Sequence, residues 1–303
     1  MTTSVVQPAS GRTVTWRCRD RLFKCGLRPM VMGILNVTPD SFSDGNRYFD
    51  TEKAILRGLE MVDEGADIID IGGESTRPGA SAVTVDEEKR RVIPVVEQLC
   101  RVLKRDGRTG CAVSIDTSKA EVARLAIEAG AVIINDVSAL TADKGMSDIA
   151  RESGAGVILM HMKGSPRTMQ NSPQYGDVVV EVSRYLASRI SDLAEKGIDV
   201  EQLAIDPGIG FGKTLQHNLD ILRQLDTLRS HGRPVAIGMS RKSFLGKLTG
   251  READQRLIPG IAALSFCITQ GADIVRVHDV RDSVDAATVV AAIMSSSGER
   301  ASG

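Results

Sequence analysis

The sequence predicts an α/β fold of the (β/α)8 TIM-barrel type. Eight short Val/Ile-rich runs alternate with longer amphipathic stretches along the 303-residue chain. The runs are almost continuously apolar, as strands buried on both faces of a parallel sheet must be. An open doubly wound sheet, the main rival, usually carries G-x-G-x-x-G after its first strand, and none occurs here. The eight units fill residues 31–296, and a barrel of this type takes about 250 residues.

The strand-like runs are VMGILN (31–36), ADIIDIG (66–72), CAVSID (111–116), AVIINDV (131–137), GVILMH (156–161), LAID (203–206), PVAIG (234–238) and ADIVRVH (272–278). Between them lie helical patterns. Asp50 and Thr51 suit the cap of a helix whose apolar face holds Ile55, Leu59 and Val62. Further helices are expected over 86–105, 119–129, 145–153, 175–196, 217–231, 255–270 and 281–295. Gly65, Gly130, Gly154 and Gly271 stand where helices should stop before the next strand. Residues 1–30 form an N-terminal extension, in which TVTWRCRD and RLFKCG suit a β-hairpin closing the barrel floor. Residues 297–303 are expected to be a flexible tail. No linker or low-complexity block divides the rest, so 31–296 reads as one barrel domain.

Composition narrows the function. Lys plus Arg number 38 and Asp plus Glu 39, a formal net charge of -1. Such neutrality argues against a nucleic-acid or anionic-membrane binder. Aromatic residues are 3%, with a single Trp16, which excludes a base-stacking platform. The five cysteines (Cys18, Cys25, Cys100, Cys111 and Cys267) are odd in number and lack C-x-x-C spacing. A disulfide framework or zinc site is therefore not expected, and a reducing cytoplasm fits. The N-terminus lacks the apolar core of a signal peptide. No run reaches the roughly 18–20 apolar residues of a membrane span.

In this architecture chemistry sits at the C-terminal ends of the strands. There stand Asn36; Glu74, Thr76 and Arg77; Asp116; Asn135 and Asp136; His161; Asp206; Ser240, Arg241 and Lys242; and Arg276 with His278. Any one of these has an ordinary structural explanation, such as Asp116 capping a helix. Taken together, such a polar ring would be a costly way to build a merely structural rim. Arg276 and His278 are two apart on a strand and face the same way. With Lys242 and Arg77 they suit a phosphate or pyrophosphate. Asp116, Asp206 and Asn135 suit the amino and ring N–H groups of a flat heterocycle. The expected ligand therefore has a planar, donor-rich ring and an anionic tail.

Two long loops, 37–50 and 73–86, are placed to act as lids. The segment PGIGFGKT (207–214) nearly fits a P-loop, but Pro207 stands where its first glycine belongs. Backbone approach to a flat ligand, with Phe211 as a stacking wall, is the better reading. His217 and His231 fall on helix patterns and are expected at the surface. His161 is open between a pocket residue and a satisfied core histidine. No H-E-x-x-H or H-x-H cluster suggests zinc.

GILNVTPDSFSDG (33–45) and GGESTRPGA (72–80) resemble the paired loop signature of the dihydropteroate synthase family. SIDTSK (114–119), INDV (134–137), LMHMKGSPRTMQ (159–170), DPGIGFGK (206–213), GMSRKSFLG (238–246) and RVHDV (276–280) continue the match in one register over residues 30–295. The resemblance implies a cytoplasmic, homodimeric (β/α)8 transferase of folate biosynthesis and a target of sulfonamide inhibitors. Such enzymes condense 6-hydroxymethyl-7,8-dihydropterin pyrophosphate with p-aminobenzoate, with Mg2+, to give 7,8-dihydropteroate and pyrophosphate.

By motif match, Asp116, Asn135, Asp206 and Lys242 would hold the pterin, with Met160, Phe211 and Gly238 forming its slot. Asn36, Thr76, Arg276 and His278 would hold pyrophosphate, Asn36 also reaching the metal. Phe42, Arg77, Pro78, Phe211 and Ser243 would frame p-aminobenzoate. Asp44, Arg77, Lys242 and Arg276 would act in catalysis, Asp44 by stabilising a cationic pterin methylene. The first loop departs from the pattern at Asn46, where many members have a second glycine. Alternatives within the barrel are a pterin-dependent methyltransferase or a non-catalytic pterin-binding paralogue. The first would not need the two loop motifs. The second would be expected to lose Asp44, Arg77, Lys242 or Arg276, and all four are present.

Overall fold

In the computed structural model, the residues described are 13–26, 28–38, 47–75, 82–164, 169 and 173–295. The chain opens with two short antiparallel strands, β1 (Val14–Cys18) and β2 (Arg21–Cys25), in the hairpin that the N-terminal segment suggested. Eight parallel strands follow: β3 (Met30–Asn36), β4 (Ile68–Gly72), β5 (Ala112–Asp116), β6 (Ile133–Asp136), β7 (Gly156–Met160), β8 (Leu203–Asp206), β9 (Ala236–Gly238) and β10 (Ile274–Val277). They pair in the order β8-β7-β6-β5-β4-β3-β10-β9. The ring is completed between β8 and β9 by an isolated parallel bridge, Ile205 with Val235. Each strand corresponds to one of the eight apolar runs. β4 and β7 are buried at every residue, which explains their largely apolar character; Asp70 is the one charged residue in them.

The surrounding helices are α1 (Arg47–Asp63), α2 (Val85–Arg105), α3 (Ala120–Glu128), α4 (Met146–Ser153), α5 (Val178–Glu195), α6 (Leu215–Arg223), α7 (Ser243–Thr249), α8 (Leu257–Thr269) and α9 (Val280–Met294). Local chemistry sets several starts. Thr84 accepts from the Glu87 amide at the start of α2, and Asp177 accepts from the Val179 and Val180 amides at α5. The helix expected over 217–231 divides into α6 and a 3-10 turn, Leu225–His231. The short α7 was not expected from the sequence. Gly65, Gly130, Gly154 and Gly271 all take positive φ, as their helix-ending role requires.

Alternation along the strands divides the core. Outward side chains such as Val31, Ile69, Ile115, Leu159, Ile205 and Val275 pack under the helices. Inward ones at the floor (Met30, Met32, Ile68, Ala112, Ile133, Ile158, Ala204, Ala236 and Ile274) join Val14, Trp16, Cys18 and Cys25 of the hairpin in a separate apolar cluster. Trp16 is 0% exposed. Its Nε1 donates to the Gln202 carbonyl at 2.8 Å. The hairpin is therefore a plug that leaves the opposite end of the barrel for chemistry. All five cysteines are free thiols. Burial raises each above its ordinary range, Cys100 to about 11 and Cys111 and Cys267 to about 12.

Candidate active site

The same period of two that fills the floor builds the mouth. Two residues above Ile68, Ile133, Ile158, Ala204, Ala236 and Ile274 stand Asp70, Asn135, Met160, Asp206, Gly238 and Arg276; four above Ala112 stands Asp116. Register then sets neighbours. Asn36 pairs with Gly72, Gly72 with Asp116, and Asp116 with Asn135. Met160 pairs with Asp206, and Gly238 with Arg276. The pterin residues expected from the sequence are thus neighbours around one mouth.

At its centre is an ion-pair network. Arg276 donates from Nε to Asp70 Oδ2 and from Nη2 to Asp116 Oδ2, each at 2.6 Å. Asn135 Nδ2 donates to the same Asp70 oxygen at 2.9 Å. Burial pushes the Asp116 carboxyl up to about 7, against the pull of Arg276 and with the charge of Asp70 adding to the rise. Burial also disfavours the Arg276 charge, but Asp70 and Asp116 outweigh it and hold the guanidinium protonated.

The slot's second wall is the loop after β8. Asp206 Oδ1 accepts from the Gly208 amide at 2.7 Å. Burial raises its carboxyl, opposed by that amide and by Lys242. Lys242 Nζ lies 4.2 Å from the centre of the Phe211 ring, a cation–π arrangement. Burial lowers Lys242 to about 8, with Asp206 opposing. Gly208 takes φ +70°, and a Cβ there would lie 1.9 Å from the His161 carbonyl oxygen. Only glycine lets the loop approach β7 so closely.

Behind the loop, Lys213 is 3% exposed. Its Nζ meets His161 Nδ1 at 2.9 Å and the carbonyls of Phe211 and His161 at 3.0 and 3.3 Å. Burial lowers Lys213 to about 7 and His161 to about 3, Lys213 adding to the second shift. His161 is therefore a satisfied core histidine. It packs against Tyr185 and Tyr175 with ring centres 5.0 and 6.1 Å away. His217 and His231, expected at the surface, are partly buried. His217 closes a capping box with Thr214, and His231 Nε2 lies 2.9 Å from Ser183 Oγ.

On the anionic side, His278 Nδ1 lies 3.0 Å from Ser240 Oγ. Arg241 pairs with Asp279 at 2.8 Å. Ser243 opens α7 directly after Lys242. Among the described residues no three His, Cys, Asp or Glu side chains cluster as a metal cage. The Asn36 side chain stands at the end of β3, on the rim. Phe42, Asp44, Thr76, Arg77 and Pro78 lie outside the described residues.

Sequence reasoning missed Asp70 and Lys213. Asp70 had a signal: a carboxylate inside an apolar strand is expensive unless it is paired. Lys213 was hidden by the P-loop-like reading of its segment.

The profile of the pterin-binding enzyme family matches residues 32–278. The chain belongs to the pterin-binding enzyme family. Among its relatives, the dihydropteroate synthase of Escherichia coli K12 is 47% identical over 267 residues, 88% of this chain and 92% of that one. The solved dihydropteroate synthase of Xanthomonas albilineans with 4-aminobenzoic acid superposes with a TM-score of 0.85 at 47% identity, covering 94% of this chain and 99% of that one. The same organism's enzyme has been solved with 7,8-dihydropteroate. The Yersinia pestis dihydropteroate synthase, solved as a sulfonamide drug complex, gives 0.84 at 43% identity, covering 92% and 98%. The (β/α)8 fold of this pterin-binding enzyme is thus that of its solved relatives. No helix among its described residues is long and apolar enough to cross a membrane.

Proposed function

We infer that this pterin-binding enzyme catalyses the dihydropteroate synthase reaction, joining 6-hydroxymethyl-7,8-dihydropterin pyrophosphate to p-aminobenzoate with release of pyrophosphate. The observation that carries this reading is the division of one mouth into two chemistries. Asp116, Asn135, Asp206 and Lys242 line a slot for a flat donor-rich ring, and Arg276 and His278 stand at its anionic end. A carboxylate accepting ring and amino N–H groups makes charge-assisted bonds, the strong kind. Met160, Gly238 and Phe211 give the slot its walls.

In the reaction the methylene C–O bond breaks and its electron pair leaves with pyrophosphate. The aniline nitrogen then forms the new C–N bond and loses a proton to solvent. Arg276 and His278, with Thr76 and Asn36, meet the charge that develops on the leaving group. Asn36 would help hold Mg2+, which would add to the neutralisation of that charge. Asp44 opposes the positive charge on the methylene. Arg77, Pro78, Phe42, Phe211 and Ser243 hold p-aminobenzoate, and no covalent enzyme intermediate is required.

The test is pyrophosphate release by purified protein with Mg2+. Release should require both substrates and should be inhibited by sulfonamides competitively with p-aminobenzoate. No release, or release indifferent to p-aminobenzoate, refutes the assignment and favours a paralogue or methyltransferase. A homodimer is part of the same reading. α8 and α9 expose Ile258, Phe266, Val289 and Ile293, the first and last at 75% and 77%, and such a stripe suits a covered face. Light scattering should give twice the 32.5 kDa chain mass; a monomer at working concentration refutes it. Five free thiols support a cytoplasmic location.

A further inference from the structure

We propose that Asp70 is a positioning residue that sets Arg276 and Asn135 for the two ends of a single ligand. The inference rests on the reading of the mouth as a pterin pyrophosphate site. Asp70 is 0% exposed and, two residues before Gly72, lies one inward position below the level at which Gly72, Asp116 and Asn135 pair. One of its oxygens, Oδ2, accepts from both Arg276 Nε and Asn135 Nδ2. It thereby joins the pyrophosphate-side cation to a pterin-side amide, across strands whose residues are 206 and 65 positions away in sequence.

The geometry does specific work on each partner. Taking the Nε hydrogen leaves the outer nitrogens of the guanidinium to face other acceptors, and Nη2 already reaches Asp116 at 2.6 Å. Taking an Nδ2 hydrogen fixes which way the Asn135 amide points, so that its oxygen is the acceptor offered elsewhere. An amide in place of Asp70 could keep an oxygen toward both donors, with its NH2 where Oδ1 now stands unpartnered, but would lose the charge that holds Arg276.

The fold itself has little need of this carboxylate. Its register neighbours at the same level are Ile34 and Ser114. Asp70 Oδ1 and Ser114 Oγ are buried without a hydrogen-bond partner among the described residues. Packing alone would be served as well by apolar residues in place of Asp70 and Arg276 together, since a buried ion pair replaced as a pair is commonly lost without cost to stability.

Asp70→Asn tests the role. With folding checked by circular dichroism and thermal unfolding, kcat/KM for the pterin pyrophosphate should fall on the order of 100-fold, as for a group displaced by about 1 Å. The KM for p-aminobenzoate should stay within about twofold, because neither partner of Asp70 frames that site. Calorimetry should find weaker binding of both inorganic pyrophosphate with Mg2+ and 6-hydroxymethylpterin. In an Arg276→Met background, Asp70→Asn should weaken pyrophosphate binding no further.

Unchanged binding of both probes, or losses that simply add, overturns the role. If Asp70→Asn does not fold alone, the Asp70→Asn/Arg276→Met pair should restore folding by removing the stranded charge. A pair that stays unfolded makes Asp70 part of the scaffold and also overturns the proposal. Failure of the functional reading looks different: wild-type protein would bind neither probe. Wild-type binding with an indifferent Asp70→Asn sinks the Asp70 role alone.

Discussion

Replacing Gly208 by alanine should damage the pterin slot far more than a methyl group suggests. The new Cβ would sit 1.9 Å from the His161 carbonyl oxygen, where ordinary contact begins at 3.4 Å. The loop must therefore retreat by about 1.5 Å. Holding alanine at φ +70° adds about 1–2 kcal/mol. Retreat also breaks the 2.7 Å bond from the Gly208 amide to Asp206, a charged hydrogen bond of about 1.5–3 kcal/mol. The stability cost is then about 2.5–5 kcal/mol. With Asp206 and Phe211 displaced, kcat/KM for the pterin substrate should fall on the order of 100-fold. Gly107→Ala is the internal control. It has nearly the same φ, +68°, with nothing within 4 Å of the added Cβ. It should cost only the backbone term and leave kinetics untouched. Steady-state kinetics beside thermal unfolding separates the two. Equal kinetics for wild type and Gly208→Ala would refute the loop's role.

Asp206→Asn should weaken pterin binding by about 1.5–3 kcal/mol in calorimetry, and wild-type affinity would contradict a carboxylate contact. In the free enzyme Asp116 must be ionised to accept an N–H, and Lys242 must be protonated to serve as a cation. With these groups at about 7 and about 8, kcat/KM should rise as pH passes the first and fall as it passes the second; a flat profile over that range refutes the assignment. Trp16→Ala should cost about 3–5 kcal/mol of stability in urea or thermal unfolding without changing activity per folded molecule, and an unchanged melting temperature would deny the plug. Chelation of Mg2+ should stop pyrophosphate release while pterin binding persists, which calorimetry with a chelator would check.

The eight strands were legible because burial on both faces leaves little room for anything but Val, Ile, Leu and Ala. The mouth followed from them, since polar residues at strand ends lie where the barrel opens. What escaped were features set by partners distant in sequence. Asp70 looks like an interruption of an apolar strand until Arg276, far along the chain, arrives beside it. Lys213 becomes intelligible only when the loop after β8 folds over His161. α7 escaped because only Phe244 and Leu245 of its seven residues are buried, too few to mark a period.

The bridge between β8 and β9 sets this join apart from the others in the ring. Everywhere else around the ring, the spacing of adjacent strands is locked by a ladder of backbone hydrogen bonds. Here, among the described residues, one bridge joins the two edges, and it lies below the mouth. Asp206 and Gly238 end the two strands on either side of it. The two strand ends that carry Asp206 and Gly238 are thus the neighbouring pair held by the fewest backbone bridges among the described residues.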